Sequence, residues 1–212
     1  MNVCELFTSI QGESSYAGLP CTFIRLSGCN LRCSYCDTKY SYAGGTEMSI
    51  EEILKYVGSV GVNLVEITGG EPLMQGGETR ALARGLLDQG HNVLIETNGS
   101  LSIKDVDKRV AIILDIKTPG SGMSAHMDFS NFDCIKPKDE VKLVICDRSD
   151  YDWSKNVIQE HRLKGRCALL FSPVTGMLAP SILAGWIIED GLDVRLNLQI
   201  HKFIFDPNQR RV

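Results

Sequence analysis

Eight of the 212 residues are cysteine, and three of them, Cys29, Cys33 and Cys36, fall on one short segment as C-x3-C-x2-C. Three thiolates on such a loop can hold three corners of an iron–sulfur cube and leave the fourth iron without a protein ligand. A structural zinc site needs four ligands, and the chain has no second C-x2-C pair or His-x3-5-His pair to supply the rest. Zinc completed by a distant histidine, such as His126 or His201, is the competing reading. The other five cysteines, Cys4, Cys21, Cys134, Cys146 and Cys167, are scattered and read as small buried hydrophobes, since eight is too few for a disulfide framework at this length.

Other reactive combinations sit at the ends of apolar runs: Thr68-Gly69-Gly70-Glu71-Pro72, Thr97-Asn98-Gly99 and Lys117-Thr118-Pro119. Positioning them requires strands, and the branched-residue runs at 21–26, 63–68, 93–97, 110–116, 140–146, 167–171 and 194–200 read as strands. Helical patterns alternate with several of these. Ser49 with Glu52 forms a capping box for a helix reaching about Tyr56, and the pattern at 79–89 ends at Gly90 as a C-terminal cap. The segments 153–163 and 181–189 read as two further helices. Repeated strand–helix–strand order predicts an α/β fold with a largely parallel sheet. A closed eight-unit barrel takes about 250 residues, so a partial, open β/α barrel as a single domain over 1–212 is the expected form. In such folds the sites gather at the C-terminal ends of the strands, where all of these segments would line one mouth.

Composition narrows the partners. Hydrophobic residues make up 43% and charged residues 23%, which is the balance of an ordinary globular protein. The net charge of −4 is dispersed, so no basic field exists to hold nucleic acid. No apolar run is long enough for a membrane helix, and residues 1–8 lack the basic and apolar regions of a secretory signal. A cytoplasmic protein with neither nucleic-acid nor membrane partner is the expectation.

The cysteine motif directly after a strand, followed by Gly69-Gly70-Glu71-Pro72 at the end of another, resembles the radical S-adenosylmethionine (SAM) superfamily. The resemblance implies a 4Fe-4S cluster on Cys29, Cys33 and Cys36 whose open iron chelates SAM, with reductive cleavage giving a 5'-deoxyadenosyl radical. It also implies SAM contacts from Tyr35, Cys36 and Asp37, with Tyr35 near the adenine, and from the Gly70-Glu71 turn near the methionine amino group. Lys117, Thr118 and Pro119 fall where many relatives carry Ser-Pro-Lys and would meet the ribose and carboxylate. Ser172 and Pro173, at the next strand end, are further candidates.

Over most of its length the chain is similar to the 7-carboxy-7-deazaguanine synthases, ring-contracting lyases of queuosine and deazapurine biosynthesis. The match runs from Glu5-Leu6-Phe7-Thr8-Ser9-Ile10-Gln11-Gly12-Glu13 through Arg25 and Cys36-Asp37-Thr38 to Gln199-Ile200-His201-Lys202. It implies that Ile10, Gln11, Gly12, Glu13, Arg25 and Thr68 contact 6-carboxy-5,6,7,8-tetrahydropterin, and that Thr38 holds a magnesium ion beside the substrate carboxylate. Val212 would offer the terminal carboxylate, as in some relatives. A homodimer and a flavodoxin- or ferredoxin-type electron donor are implied as well.

Read without the resemblance, several of these residues have plainer roles. Arg25 could make a surface salt bridge, Thr38 and Glu71 could be caps, and Gln11-Gly12 an ordinary turn. His201 and Lys202 would end the last strand, in core packing, a dimer contact or the site. Two other functions stay open: a radical SAM activase that places a glycyl radical on a partner protein, and a non-catalytic zinc or iron–sulfur module.

Overall fold

A computed structural model describes residues 1–206 and 209–211. The chain forms β1 (Asn2–Ile10), β2 (Pro20–Leu26), β3 (Thr46–Glu47), α1 (Ile50–Val60), β4 (Leu64–Gly69), α2 (Gly76–Asp88), β5 (Asn92–Thr97) and β6 (Ala111–Ile116). Then come β7 (Glu140–Ile145), α3 (Arg148–Glu160), β8 (Ala168–Pro173), α4 (Pro180–Glu189), β9 (Arg195–Leu196) and α5 (His201–Ile204). Short 3-10 turns fill several connections. Among the described residues the strands form one sheet in the order β3-β1-β2-β4-β5-β6-β7-β8-β9. From β2 to β9 every pairing is parallel, while β1 pairs antiparallel with both β2 and β3. The sheet ends in the edge strands β3 and β9 rather than closing on itself, so the α/β open-barrel expectation holds. No helix among the described residues is long and apolar enough to cross a membrane.

Alternation along each strand builds the two faces. On the outer face Ile24, Leu26, Val65, Ile67, Ile95, Ile112, Leu114, Val141 and Leu143 bury against the helices, which contribute Ile53 and Val57, Leu82 and Leu86, Tyr151 and Val157, and Leu183. The inner face has a smaller apolar plug of Phe7, Cys21, Phe23, Leu64, Leu94, Ala111 and Ile113, in which Phe7 and Phe23 stack at 5.0 Å. Two residues further along several of these strands the inner face turns polar: Arg25 follows Phe23, Glu66 follows Leu64, Glu96 follows Leu94 and Asp115 follows Ile113.

Most of the elements expected from sequence are present. The Ser49 capping box forms, with Ser49 Oγ accepting from Glu52 N and the Glu52 carboxylate accepting from Ser49 N at 2.7 Å. At the end of α2, Gly90 takes a positive φ of 90°, and its N–H and that of His91 close back on Leu87 and Leu86 as a Schellman cap.

Other expectations need correction. β1 was not expected, because its inward positions include Glu5 and break the apolar alternation. α3 starts at Arg148 rather than 153, since Asp147 caps it by accepting from Asp150 N at 3.0 Å ahead of a polar first turn. The strand expected over 194–200 stops at Leu196. Asn197 there accepts from Ser14 N and donates to Ser172 Oγ, and Ile200 N donates to Gly12 O. The chain is thereby drawn off the sheet edge, so His201 and Lys202 begin α5 instead of ending a strand.

Candidate active site

The C-terminal ends of the strands open into a cavity of about 590 Å³. The cysteine loop forms one wall and is anchored from several sides. Gly28 N donates to Ser41 O and Glu71 N donates to Gly28 O, both at 2.8 Å. The Arg32 guanidinium donates to the Cys29 and Leu31 carbonyls at 2.7 Å while lying over the Tyr42 ring. Ser34 donates its N–H to Ser121 O and its hydroxyl to Gly120 O. Asn98 Nδ2 reaches Asn30 Oδ1 at 3.2 Å and stands 3.9 Å from Cys29 Sγ.

All three thiols line the cavity. Among the described residues no three His, Cys, Asp or Glu side chains converge to hold one metal ion. A cube takes each thiolate on a separate iron, and the three cysteines would hold it from this loop. Burial pushes the Cys29 and Cys33 thiols above the usual range, so ligation must displace their protons.

The glycine turn at the end of β4 lies against the cysteine loop for a steric reason. A Cβ on Gly70 would collide with the Gly28 carbonyl oxygen and with Cys29 Cβ, and one on Gly69, where φ is 151°, would collide with Leu26 backbone. The two loops therefore touch only because neither residue has a side chain. Gly70→Ala is expected to force them apart at a cost of about 1–3 kcal/mol and to lower iron content and cluster absorbance per chain after reconstitution. A variant that loads iron normally and melts with the native chain would count against this contact.

Of the residues singled out from sequence, Ile10, Gln11, Gly12, Glu13, Arg25, Tyr35, Cys36, Asp37, Thr38, Thr68, Gly70, Lys117, Ser172 and Pro173 line this one cavity together with Cys29 and Cys33. Glu71, Thr118 and Pro119 do not. The Glu71 carboxylate is fully buried, accepting from Leu73 N, Thr97 Oγ1 and Asn98 N, so it caps the turn after β4 and ties it to the end of β5. Thr118 donates to Val144 O at 2.8 Å and pairs with Asp150, and Pro119 opens the turn whose Gly120 and Ser121 carbonyls hold Ser34. These two residues stand behind the cluster loop instead of facing the cavity. Val212 lies outside the described residues.

The cavity also contains groups that sequence reading did not single out. Lys142, on β7, pairs with Glu13 at 3.0 Å, with Asp115 at 3.2 Å and with Glu96; Asp115 also pairs with Lys117 at 2.9 Å. Burial alone would lower the Lys142 ammonium pKa, but Asp115, Glu13 and Glu96 raise it well above the usual range. For Glu13, burial is outweighed by Lys142 and Gln199, so the carboxyl sits below its usual range, and Lys117 and Lys142 do the same for Asp115. Glu66 takes the opposite course: burial and the neighbouring Glu96 push it well up, while it accepts a hydrogen bond from Gln11.

On the far wall, Gln199 donates to Glu13 at 2.8 Å, and Lys202 bridges Gln199 and Asp37. Despite burial, Lys202 brings the Asp37 carboxyl down to about 2. His201 packs so closely on Gly12 that a Cβ there would strike the imidazole, and burial lowers the imidazole pKa.

Comparison with known proteins gives the same picture. Residues 23–163 match the Radical SAM superfamily. The whole chain aligns at 46% identity with 97% of a 7-carboxy-7-deazaguanine synthase from Chlorobaculum tepidum, and at 42% with all of one from Koribacter versatilis. The crystal structure of QueE from Escherichia coli shares the fold, with a TM-score of 0.77 at 22% identity and 93% coverage of each chain. Identity of this order along the entire chain, with three thiols and a glycine turn meeting at one cavity, leaves one conclusion: the chain belongs to the 7-carboxy-7-deazaguanine synthase family of the radical SAM superfamily.

Proposed function

We propose that this chain converts 6-carboxy-5,6,7,8-tetrahydropterin to 7-carboxy-7-deazaguanine with loss of ammonia, a carbon–nitrogen lyase step in queuosine and 7-deazapurine biosynthesis. It would act as a single-domain protomer of a cytoplasmic homodimer, with magnesium bound and a flavodoxin or ferredoxin as electron donor. The observation that carries the reading is that the cysteine loop and the 10–13 turn line one and the same cavity. A glycyl-radical activase or a simple metal module has no use for that turn.

Cys29, Cys33 and Cys36 would hold the cluster, and Tyr35, Asp37, Gly70, Lys117, Ser172 and Pro173 would bound the SAM site. When bound, the cluster and SAM supply a carbon radical able to take hydrogen from the substrate. The chain's own groups orient the pterin. Arg25 offers a planar two-nitrogen fork to the substrate carboxylate, and Thr68 a hydroxyl. Ile10, Gln11, Gly12 and Glu13 meet the ring, with Gln11 itself fixed by Glu66. Burial and the neighbouring Glu96 push the Glu66 carboxyl well above its usual range, which favours the acid form beside the ring. A magnesium ion fits beside Thr38, where the hydroxyl donates to Asp37 Oδ1 at 2.9 Å and presents a hard oxygen next to a carboxylate.

The test is anaerobic incubation of the reconstituted protein with SAM, reductant, magnesium and the pterin, read by mass spectrometry. The reading expects 7-carboxy-7-deazaguanine with SAM largely unconsumed. Accumulation of 5'-deoxyadenosine alone, unstimulated by pterin, would overturn it in favour of an activase. In the same assay Thr38→Ala should lower kcat/KM by about 10- to 100-fold and flatten the magnesium dependence. Native turnover of that variant without magnesium would remove Thr38 from the metal site.

A further inference from the structure

Glu5 has no part in the site as described, yet its position on β1 links two of that site's components. Its side chain has no exposed surface. Oε2 accepts from Arg25 Nε and from the Tyr40 hydroxyl, both at 3.2 Å. Oε1 accepts from Arg210 Nε at 3.0 Å and Nη2 at 2.7 Å, with Arg211 at 3.9 Å. The Arg210 guanidinium also lies 3.9 Å from the centre of the Tyr40 ring. One buried carboxylate thus grips Arg25 at the cavity wall with one oxygen and Arg210 with the other.

The geometry of the Arg25 contact matters. Glu5 takes Nε through Oε2, on the side of the guanidinium away from the Nη1–Nη2 fork. A guanidinium held by Nε keeps the opposite fork free and fixes its plane, which is the requirement for two parallel bonds to a carboxylate. Arg25, Arg210 and Arg211 all approach this one carboxylate, so Glu5 orients Arg25 without being paired to it alone. Tyr40, Arg210 and Arg211 line the same cavity.

We infer that Glu5 is a positioning residue for substrate binding: it aims the Arg25 fork at the substrate carboxylate and holds Arg210 at the cavity wall beside it. The inference rests on the reading of Arg25 as the group that meets the substrate carboxylate. A purely structural role, as a cross-strand tie between β1 and β2, would not depend on which ligand is offered.

That difference is the test. Anaerobic titration calorimetry on the cluster-loaded, SAM- and magnesium-bound enzyme without reductant measures Kd for 6-carboxytetrahydropterin and for tetrahydropterin lacking the 6-carboxylate. Glu5→Gln should weaken the carboxylated ligand about 10- to 50-fold and leave the analogue within about twofold, with kcat within about threefold of native at saturating substrate. Arg210→Met, which keeps the packing on Tyr40, should weaken the carboxylated ligand about 3- to 10-fold. Added to Arg25→Gln, Glu5→Gln should cost less than about twofold more, because Glu5 acts through Arg25.

Equal weakening of both ligands, or native affinity in Glu5→Gln while Arg25→Gln binds poorly, overturns the positioning role and leaves the reading of Arg25 standing. Native affinity in Arg25→Gln overturns that reading and this inference with it. Should Glu5→Gln fail to fold, Glu5→Asp keeps the charge and retracts it by one methylene. Selective weakening in both Glu5→Asp and Arg210→Met then supports the inference, and native affinity in either overturns it.

Discussion

Cys33→Ala, reconstituted with iron and sulfide, stays colourless and cleaves SAM more than about 1,000-fold more slowly than the native chain. The loop offers three thiols to the cavity, and removal of one leaves two protein ligands for a group that needs three. No other cysteine is placed to substitute, since none besides Cys29, Cys33 and Cys36 lines the cavity. Fold loss does not explain the effect. Cys33 is half-buried, and the loop around it is held by Arg32 on the Cys29 carbonyl and by Ser34 on Gly120 and Ser121. The variant should therefore keep the native far-ultraviolet circular dichroism. Absorption spectra, iron per chain and 5'-deoxyadenosine by mass spectrometry check the result. A brown, active Cys33→Ala protein would remove the cluster assignment, and a colourless native protein holding one zinc per chain would replace it.

Cavity residues at loop positions were legible by their spacing and strand residues such as Arg25 and Thr68 by resemblance, whereas Glu66, Glu96 and Lys142 within strands were not. Cys29, Cys33 and Cys36 declare themselves by spacing, because ligands on one short loop must be close in sequence. Gly69 and Gly70 declare a close approach by lacking side chains. Thr118 and Pro119 were drawn into the site by the resemblance of Lys117-Thr118-Pro119 to a family segment; in the fold Thr118 bonds Val144 and Asp150, and Pro119 opens the turn whose Gly120 and Ser121 carbonyls hold Ser34. Glu71 followed the plainer of its two readings, as a cap. Glu5 escaped because a buried acid on a strand breaks the alternation that reveals strands at all.

The inward charges escaped differently: Glu66 in Leu64–Gly69, Glu96 in Asn92–Thr97 and Asp115 in Ala111–Ile116 are each the single charge of their strand, and Lys142 shares Glu140–Ile145 only with Glu140. Period-two alternation puts each on the inner face, two residues past an apolar plug residue in the first three cases. That recurrence from strand to strand is a signal a sequence carries. Which charges meet is not, because it depends on how the strands stagger around the open barrel.

Those meetings set the largest stability effect expected. Lys142→Met should destabilise the folded chain by about 3–5 kcal/mol at pH 8, the usual cost of removing one partner from a buried ionic group. The Lys142 side chain is 5% exposed, and its ammonium faces Glu13, Glu96 and Asp115 at once. In the native chain the folded-state pKa values of Glu13 and Asp115 are depressed, so their contribution is present above the unfolded value near 4 and fades as pH falls through the lower folded values. In the variant, burial without the ammonium raises Glu13 and Glu96 instead, while Lys117 still pairs with Asp115. A raised folded pKa makes the folded state bind more protons than the unfolded chain, so the variant loses stability as pH climbs from about 4 toward 8. The gap between native and variant should therefore narrow by about 1–2 kcal/mol between pH 8 and pH 5.5. Urea unfolding of both proteins at the two pH values measures it. A gap below about 1 kcal/mol at pH 8 would mean that the charges are solvated and that Lys142 is not their hub. An equal gap at both pH values would mean that the carboxyls stay ionised without it, with Lys117 alone holding the layer.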